Sequence, residues 1–102
     1  MSDWKKLCPL DEIPRLGSRV IESAHGDIAI FRLADDEVFA VHDKCPHKGG
    51  PLSQGIVSGK IVTCPLHGWK IDLQSGEAIA PDVGCTPPFS VKRVGDDVWI
   101  AL

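Results

Sequence analysis

Short hydrophobic segments separated by turn sequences recur along this chain, and their spacing gives the first prediction. Segments such as residues 27–33 and 38–42 are rich in β-branched and aromatic residues, which favour strands. No segment shows a convincing helical period of apolar residues. The pattern predicts an all-β sandwich or barrel built from short strands. The predicted strands cover residues 4–7, 20–23, 27–33, 38–42, 69–73, 78–80, 89–94 and 98–102.

Turn sequences connect the predicted strands. His25-Gly26 and residues 34–37 connect the strands of an early meander, and residues 74–77 and 95–97 are typical of hairpin turns. Prolines within residues 9–14 exclude a long regular element after the first strand. The turn sequences are therefore spaced as in an antiparallel β protein.

The composition is that of one ordinary globular domain covering residues 1–102. Hydrophobic residues make up 43% and charged residues 25% of the chain, which suits a modest core but not two domains. The net charge of −3 gives no reason to expect a nucleic-acid partner. Because no apolar stretch has the length that a spanning helix needs, we expect no membrane partner and a cytoplasmic protein. In a reducing compartment, Cys8 and Cys85 are expected to be free thiols.

Two Cys-His pairs carry the candidate chemistry. Cys45 and His47 form a C-x-H pair, Cys64 and His67 form a C-x2-H pair, and sixteen residues separate the two pairs. Each pair lies beside Pro and Gly, which suit a tight loop better than the interior of a strand or helix. Two such loops facing each other bring two thiols and two imidazoles together. The sequence therefore predicts a metal site formed by Cys45, His47, Cys64 and His67.

The order of these ligands narrows the choice of metal. A zinc finger of the Cys2His2 type takes both cysteines from one turn and both histidines from a helix, whereas here each loop supplies one residue of each type. A [2Fe-2S] cluster with two thiolates on one iron and two imidazoles on the other requires this arrangement, since each loop must serve both irons. A mixed tetrahedral site can also hold zinc, which is the alternative.

The motifs CPHKGG at residues 45–50 and CPLHGW at residues 64–69 resemble those of the Rieske [2Fe-2S] ferredoxin family. The resemblance implies that the two cysteines bind the inner iron and that the two histidines bind the outer, solvent-facing iron. It implies a Rieske-type antiparallel β sandwich or barrel with two basal sheets and an inserted cluster-binding β subdomain at approximately residues 43–80. It also places a third loop, which shields the cluster, near Pro81.

A cluster with four protein ligands has no open position for a substrate, so we expect single-electron transfer and no catalytic residue. The isolated chain is then expected to have no enzyme activity of its own. High-potential Rieske proteins have additional cysteines and hydroxyl groups beside the cluster, and the matching positions here hold Gly50, Leu66, Trp69 and Ile71. Fewer hydrogen bonds to the cluster imply a reduction potential toward the low end of the Rieske range, about −150 mV.

Residues 76–102, with residues 45–57 before them, further resemble the small subunit of the assimilatory NAD(P)H-dependent nitrite reductase. The specific likeness lies in Pro81-Asp82, Gly84-Cys85-Thr86-Pro87 and the closing strand pair. The resemblance implies a large partner subunit that carries flavin and sirohaem and reduces nitrite to ammonium. The alternative is a free Rieske ferredoxin that passes electrons from a ferredoxin reductase to a ring-hydroxylating dioxygenase. A further alternative is a structural zinc-binding module that stabilises a partner enzyme.

Overall fold

A computed structural model describes residues 4–24, 26–44, 51–65, 68–79, 84–86 and 88–101. These residues are mostly in strands, with two single-turn 3-10 helices at Leu10–Glu12 and Leu52–Gln54, and the predicted all-β class is confirmed. Within the same residues, no helix is long and apolar enough to cross a membrane. The strands are β1 (Trp4–Pro9), β2 (Ser18–Ser23), β3 (Gly26–Arg32), β4 (Val38–His42), β5 (Ile56–Ser58), β6 (Ile61–Thr63), β7 (Lys70–Asp72), β8 (Pro88–Val94) and β9 (Asp97–Ala101).

The strands form two antiparallel sheets. Six strands lie in the order β1-β9-β8-β4-β3-β2, and three lie in the order β5-β6-β7. Strand β8 joins the two halves of the larger sheet, because its first two residues pair with Val41 and Ala40 of β4 while residues 90–94 pair with β9. The two basal sheets that the family resemblance implies are thus continuous through β8.

Strands β3 and β4 separate two hydrophobic cores. Successive side chains of a strand point to opposite faces; on β3, Ile28 and Ile30 face one core while Ala29 and Phe31 face the other, and all four are at most 1% exposed. Burial on both faces explains why this stretch of sequence is apolar without alternation. The Cys64 core contains Ala29, Phe31, Leu33, Val41, Leu52, Val57, Val62, Cys64, Ile71 and Leu73. The Ile100 core contains Cys8, Leu10, Ile13, Ile28, Ile30, Ala40, Val98 and Ile100.

The three-stranded sheet covers the face of β3 and β4 that lies in the Cys64 core, and it carries the second predicted ligand loop. Its strands β5 and β6 form a hairpin in which Ser58 pairs with Ile61, and Gly59 in the turn has a left-handed φ of 59°. Neither strand was among the predicted ones. Each has only three residues, and the single buried side chains of the two strands, Val57 and Val62, give too short an alternation to recognise.

Most predicted strand boundaries differ from the structure by one or two residues, and two of the differences have a clear physical reason. Strand β1 continues past residue 7 to Pro9, which is tolerated because β1 lies at the edge of its sheet, and the pairing with β9 is irregular between Lys6 and Cys8. The predicted strand 78–80 is reduced to an isolated bridge between Ala78 and Ile71, and Ala80 lies outside the described residues.

Candidate metal centre

Cys64 directly follows strand β6 and points into the protein. It is 1% exposed and packs in the Cys64 core with Val62 and Ile71, which lie on the adjacent strands β6 and β7. A cysteine in this position has its sulfur shielded from water. Burial of this kind suits a ligand on the inner side of a metal centre and is also compatible with a packed thiol.

Backbone hydrogen bonds close the loop that begins at Cys64. The N–H of Cys64 donates to the carbonyl oxygen of Trp69 at 2.6 Å, and the N–H of Gly68 donates to the carbonyl oxygen of Cys64 at 3.0 Å. Gly68 has a φ of 72°, a left-handed conformation that favours glycine. The predicted ligand His67 and its neighbour Leu66 lie outside the described residues.

The first predicted ligand loop is described only at its base. Cys45 and His47, with the rest of residues 45–50, lie outside the described residues. On one side of this gap, Asp43 follows β4, and on the other side Ser53 lies in the second 3-10 helix. The Oδ1 of Asp43 accepts a hydrogen bond from the Ser53 N–H at 2.7 Å, and its Oδ2 accepts one from the Ser53 hydroxyl at 2.9 Å. The two ends of the loop are therefore joined.

The segment between β7 and β8 returns the chain to the larger sheet. Thr86 is 2% exposed; its N–H donates to the carbonyl oxygen of Gly76 at 2.7 Å, and its hydroxyl donates to the carbonyl oxygen of His42 at 3.2 Å. This segment is thereby fastened to the end of β4, directly before the first ligand loop. Pro88 begins β8, whereas Pro81, the residue expected in a shielding loop, lies outside the described residues.

Among the described residues, the cysteines and the histidine outside the predicted ligand set have other surroundings, and His25 lies outside the described residues. His42 packs its ring against Phe89 with 4.9 Å between centroids. Cys8 is buried in the Ile100 core, and burial raises the pKa of its thiol, an effect that the Arg19 guanidinium opposes. Cys85 is exposed. The three described cysteines, Cys8, Cys64 and Cys85, are free thiols here.

One of the four predicted ligands can be placed, and the other three lie outside the described residues. Among the residues that are described, no group of three or more His, Cys, Asp or Glu side chains could hold a metal ion. The donor chemistry fits an iron-sulfur cluster, because Cys64 offers a buried sulfur at the start of a closed loop. Asp43 and Ser53 were not among the predicted site residues, because their contacts depend on the fold. Thr86 was named only as part of a sequence likeness, and its hydrogen bonds to the backbone were not predicted.

Comparison with models of known protein families assigns the chain to one family. The model of the Rieske [2Fe-2S] domain matches residues 3–93, and the chain belongs to this family. The cofactor that defines the family is the Rieske-type [2Fe-2S] cluster. The chain is therefore a Rieske [2Fe-2S] domain protein.

Curated relatives include both short ferredoxins and long oxygenases. The anthranilate 1,2-dioxygenase ferredoxin subunit of Burkholderia cepacia is 37% identical over 94 residues, which are 92% of this chain and 82% of that protein. The 4beta-methylsterol monooxygenase of Methylococcus capsulatus is 56% identical over 46 residues, which are 45% of this chain. The chain spans only 12% of the length of that monooxygenase.

Solved structures with the same fold include small subunits proposed for nitrite reductases. One, proposed as the small subunit of an NADPH nitrite reductase, is 26% identical and superposes with a TM-score of 0.86, over 96% of this chain and 97% of that chain. Another, from Mycobacterium tuberculosis and proposed for an NADH-dependent enzyme, is 23% identical with a TM-score of 0.88, over 100% of this chain and 96% of that chain. The second likeness concerns the fold alone.

Proposed function

We propose that Cys45, His47, Cys64 and His67 hold the [2Fe-2S] cluster and that the chain carries one electron at a time to or from a larger redox enzyme. Membership of the Rieske family together with the buried position of Cys64 is the observation that carries this proposal. When bound, the cluster supplies reversible one-electron chemistry at iron. The catalytic chemistry belongs to the partner enzyme.

The residues of this chain contribute shielding and rigidity. Cys64 is buried on the side of the hydrophobic core, and its loop is closed by hydrogen bonds to Gly68 and Trp69, so the sulfur is withheld from water. The family resemblance implies that the histidine side of such a site faces solvent, which would make it the shorter path to a partner. Residues 1–102 act as one domain in this proposal, with residues 43–80 as the cluster-binding subdomain, in the cytoplasm.

For the partner, we propose the large flavin- and sirohaem-containing subunit of an assimilatory NAD(P)H-dependent nitrite reductase. The support for this proposal is the specific sequence likeness of residues 76–102. The described residues of this segment are built into the fold by the buried Thr86 and by the hydrogen bond from the Ala78 N–H to the carbonyl oxygen of Gly84 at 2.9 Å. The likeness to the proposed NADPH nitrite reductase small subunit extends over 96% of this chain.

A second candidate partner is a ring-hydroxylating dioxygenase served through a ferredoxin reductase. The observation in its favour is the 37% identity to the anthranilate dioxygenase ferredoxin subunit over most of both chains. The same fold and cluster suit both roles, since both need a one-electron carrier with a low potential. The partner must therefore be identified by measuring electron transfer from this protein to each of the two candidate enzymes.

The first experiment identifies the metal in the purified wild-type protein. Iron, sulfide and zinc are measured, and an EPR spectrum is recorded after reduction with dithionite. We expect iron and labile sulfide with a rhombic S = 1/2 signal whose average g lies below that of ferredoxins with four cysteine ligands. Zinc without labile sulfide in anaerobically prepared protein would refute electron transfer and leave the structural zinc module.

The second experiment identifies the partner. The reduced protein is mixed either with the sirohaem subunit and nitrite or with a terminal oxygenase, its aromatic substrate and dioxygen, and reoxidation is followed by visible absorbance. We expect fast reoxidation only with the sirohaem subunit and nitrite, and no such reaction with Cys64→Ser. Turnover with the oxygenase alone would reject the nitrite assignment while keeping the electron-transfer function.

A further inference from the structure

We propose that Asp43 and Ser53 are positioning residues that latch the base of the first ligand loop and so fix the orientation of Cys45 and His47. This inference rests on the proposed function, because it assumes that these two residues are metal ligands. The Asp43-Ser53 latch is the pair of hydrogen bonds between one carboxylate and the N–H and hydroxyl of one serine, at 2.7 and 2.9 Å. The two residues bracket residues 44–52, which include the whole of the predicted loop.

The latch is anchored to the scaffold at both of its members. The N–H of Asp43 donates to the carbonyl oxygen of Asp27 on β3 at 2.9 Å, and the Ser18 hydroxyl on β2 donates to the carbonyl oxygen of Ser53 at 2.8 Å. Ser53 thus uses its N–H, its hydroxyl and its carbonyl group in three separate hydrogen bonds. Such a junction holds both loop ends against strands that belong to the rigid sheet.

The latch is also tied to the second ligand loop. Leu52, next to Ser53, is fully buried in the same core as Cys64. The N–H of Gly55 donates to the carbonyl oxygen of Leu52 at 2.9 Å, and a Cβ at Gly55 would collide with the carbonyl oxygen of Thr63, one residue before Cys64. The 3-10 helix that carries Ser53 therefore lies directly against the strand that leads to Cys64.

A half-buried carboxylate is an effective latch, because hydrogen bonds to a charged acceptor are stronger than those between neutral groups. If loss of the latch admits water to a bound cluster, the more negative reduced state is better solvated and the reduction potential rises.

The test compares four variants of the holoprotein. Ser53→Ala removes the hydroxyl bond and leaves the charge, Asp43→Ala removes both bonds, and Asp43→Asn keeps an oxygen that can accept the Ser53 N–H. Ser58→Ala, at an exposed serine of β5, is the matched control. Three quantities are measured: the rate of metal loss to excess chelator, the reduction potential with the EPR g values, and hydrogen exchange of peptides covering residues 44–52.

Loss of one charge-assisted hydrogen bond shifts a loop-opening equilibrium by about tenfold, so we expect metal loss about tenfold faster for Ser53→Ala and faster still for Asp43→Ala. Both should show altered g values, a more positive potential and faster exchange in residues 44–52, while Asp43→Asn recovers most of the wild-type rate. Ser53→Ala with wild-type g values, potential and exchange would overturn the proposal. A residue of purely structural importance would lower the melting temperature without changing the g values.

Failure of the underlying function gives a different pattern. If the wild-type protein contains zinc, the electron-transfer proposal fails, but chelator-driven zinc loss and hydrogen exchange still report on the latch. Faster zinc loss and faster exchange in Ser53→Ala would then support the latch. Unchanged values would overturn it.

Discussion

Replacing Gly76 with alanine should be among the most damaging small substitutions in this chain. Gly76 has a φ of 77°, and a Cβ there would collide with the carbonyl oxygen of Thr86 and lie 3.1 Å from Cδ of Pro88. Both obstacles belong to the chain as it enters β8, so neither can rotate away as a flexible side chain could. The same glycine accepts the Thr86 N–H at 2.7 Å, which fastens the segment before β8.

Gly59 provides the matched control for the size of this effect. It has a φ of 59° in the β5–β6 turn, and a Cβ there meets nothing within 4 Å among the described residues. Gly59→Ala therefore incurs only the left-handed backbone cost of about 1–2 kcal/mol. Gly76→Ala incurs that cost and, in addition, an overpacking cost of about 1–3 kcal/mol. The expected total for Gly76→Ala is about 2–5 kcal/mol.

Thermal unfolding followed by circular dichroism at one scan rate measures both variants. For a domain of this size, each 1 kcal/mol lowers the melting temperature by about 4–8 °C, so Gly76→Ala should melt well below Gly59→Ala. Equal melting temperatures would show that the Thr86 carbonyl moves aside at no cost and would refute the close approach. Failure of Gly76→Ala alone to accumulate as folded protein would agree with it.

Three further predictions concern the site, the pH dependence and the packing. Cys64→Ser should abolish the visible absorption and the labile sulfide, whereas Cys85→Ser, at an exposed thiol, should keep both; an unchanged spectrum in Cys64→Ser would disprove the ligand assignment. The arginine hydrogen bonds to Asp36 lower its pKa from 3.8, so its stabilisation is present above pH 3.8 and is lost as the pH falls through the lower folded-state pKa. The melting-temperature gap between wild type and Asp36→Asn should therefore shrink on acidification below 3.8, and a gap independent of pH would contradict this account. Gly55→Ala should destabilise the protein by about 1–3 kcal/mol, because its Cβ meets the carbonyl oxygen of Thr63, and a melting temperature equal to that of the wild type would exclude that contact.

The sequence predicted the bounds of some strands better than those of others. Strand β4 was predicted from Val38 to His42, and the structure has the same bounds, because a run rich in β-branched and aromatic residues lies between two polar turns. Strands β5 and β6 were not predicted. A run such as Ile56–Ser58 contains one buried residue, and its identity as a strand depends on the partner strand that completes the sheet.

The sequence predicted the metal ligands of the candidate site but not the residues whose hydrogen bonds join the ends of the first ligand loop. Cysteine and histidine are themselves the metal-binding groups, so Cys45, His47, Cys64 and His67 could be proposed from spacing alone; of these, only Cys64 lies among the described residues. The Asp43-Ser53 contact joins residues ten positions apart across a loop. Neither residue has a distinctive local signature, and their pairing depends on how β2, β3 and the 3-10 helix meet.

The chain leaves and re-enters the six-stranded sheet at neighbouring points, since Val41 near the end of β4 is paired with Pro88 at the start of β8. In the connectivity of the chain, residues 43–87 form one long insertion between the paired strands β4 and β8. A short turn that joined β4 directly to β8 would preserve the strand order of the six-stranded sheet. The insertion cannot be removed without cost, because Phe31 and Val41 pack against the three-stranded sheet and would become exposed to water. Grafting the insertion into another β protein therefore requires a recipient hairpin with an apolar face that the three-stranded sheet can cover.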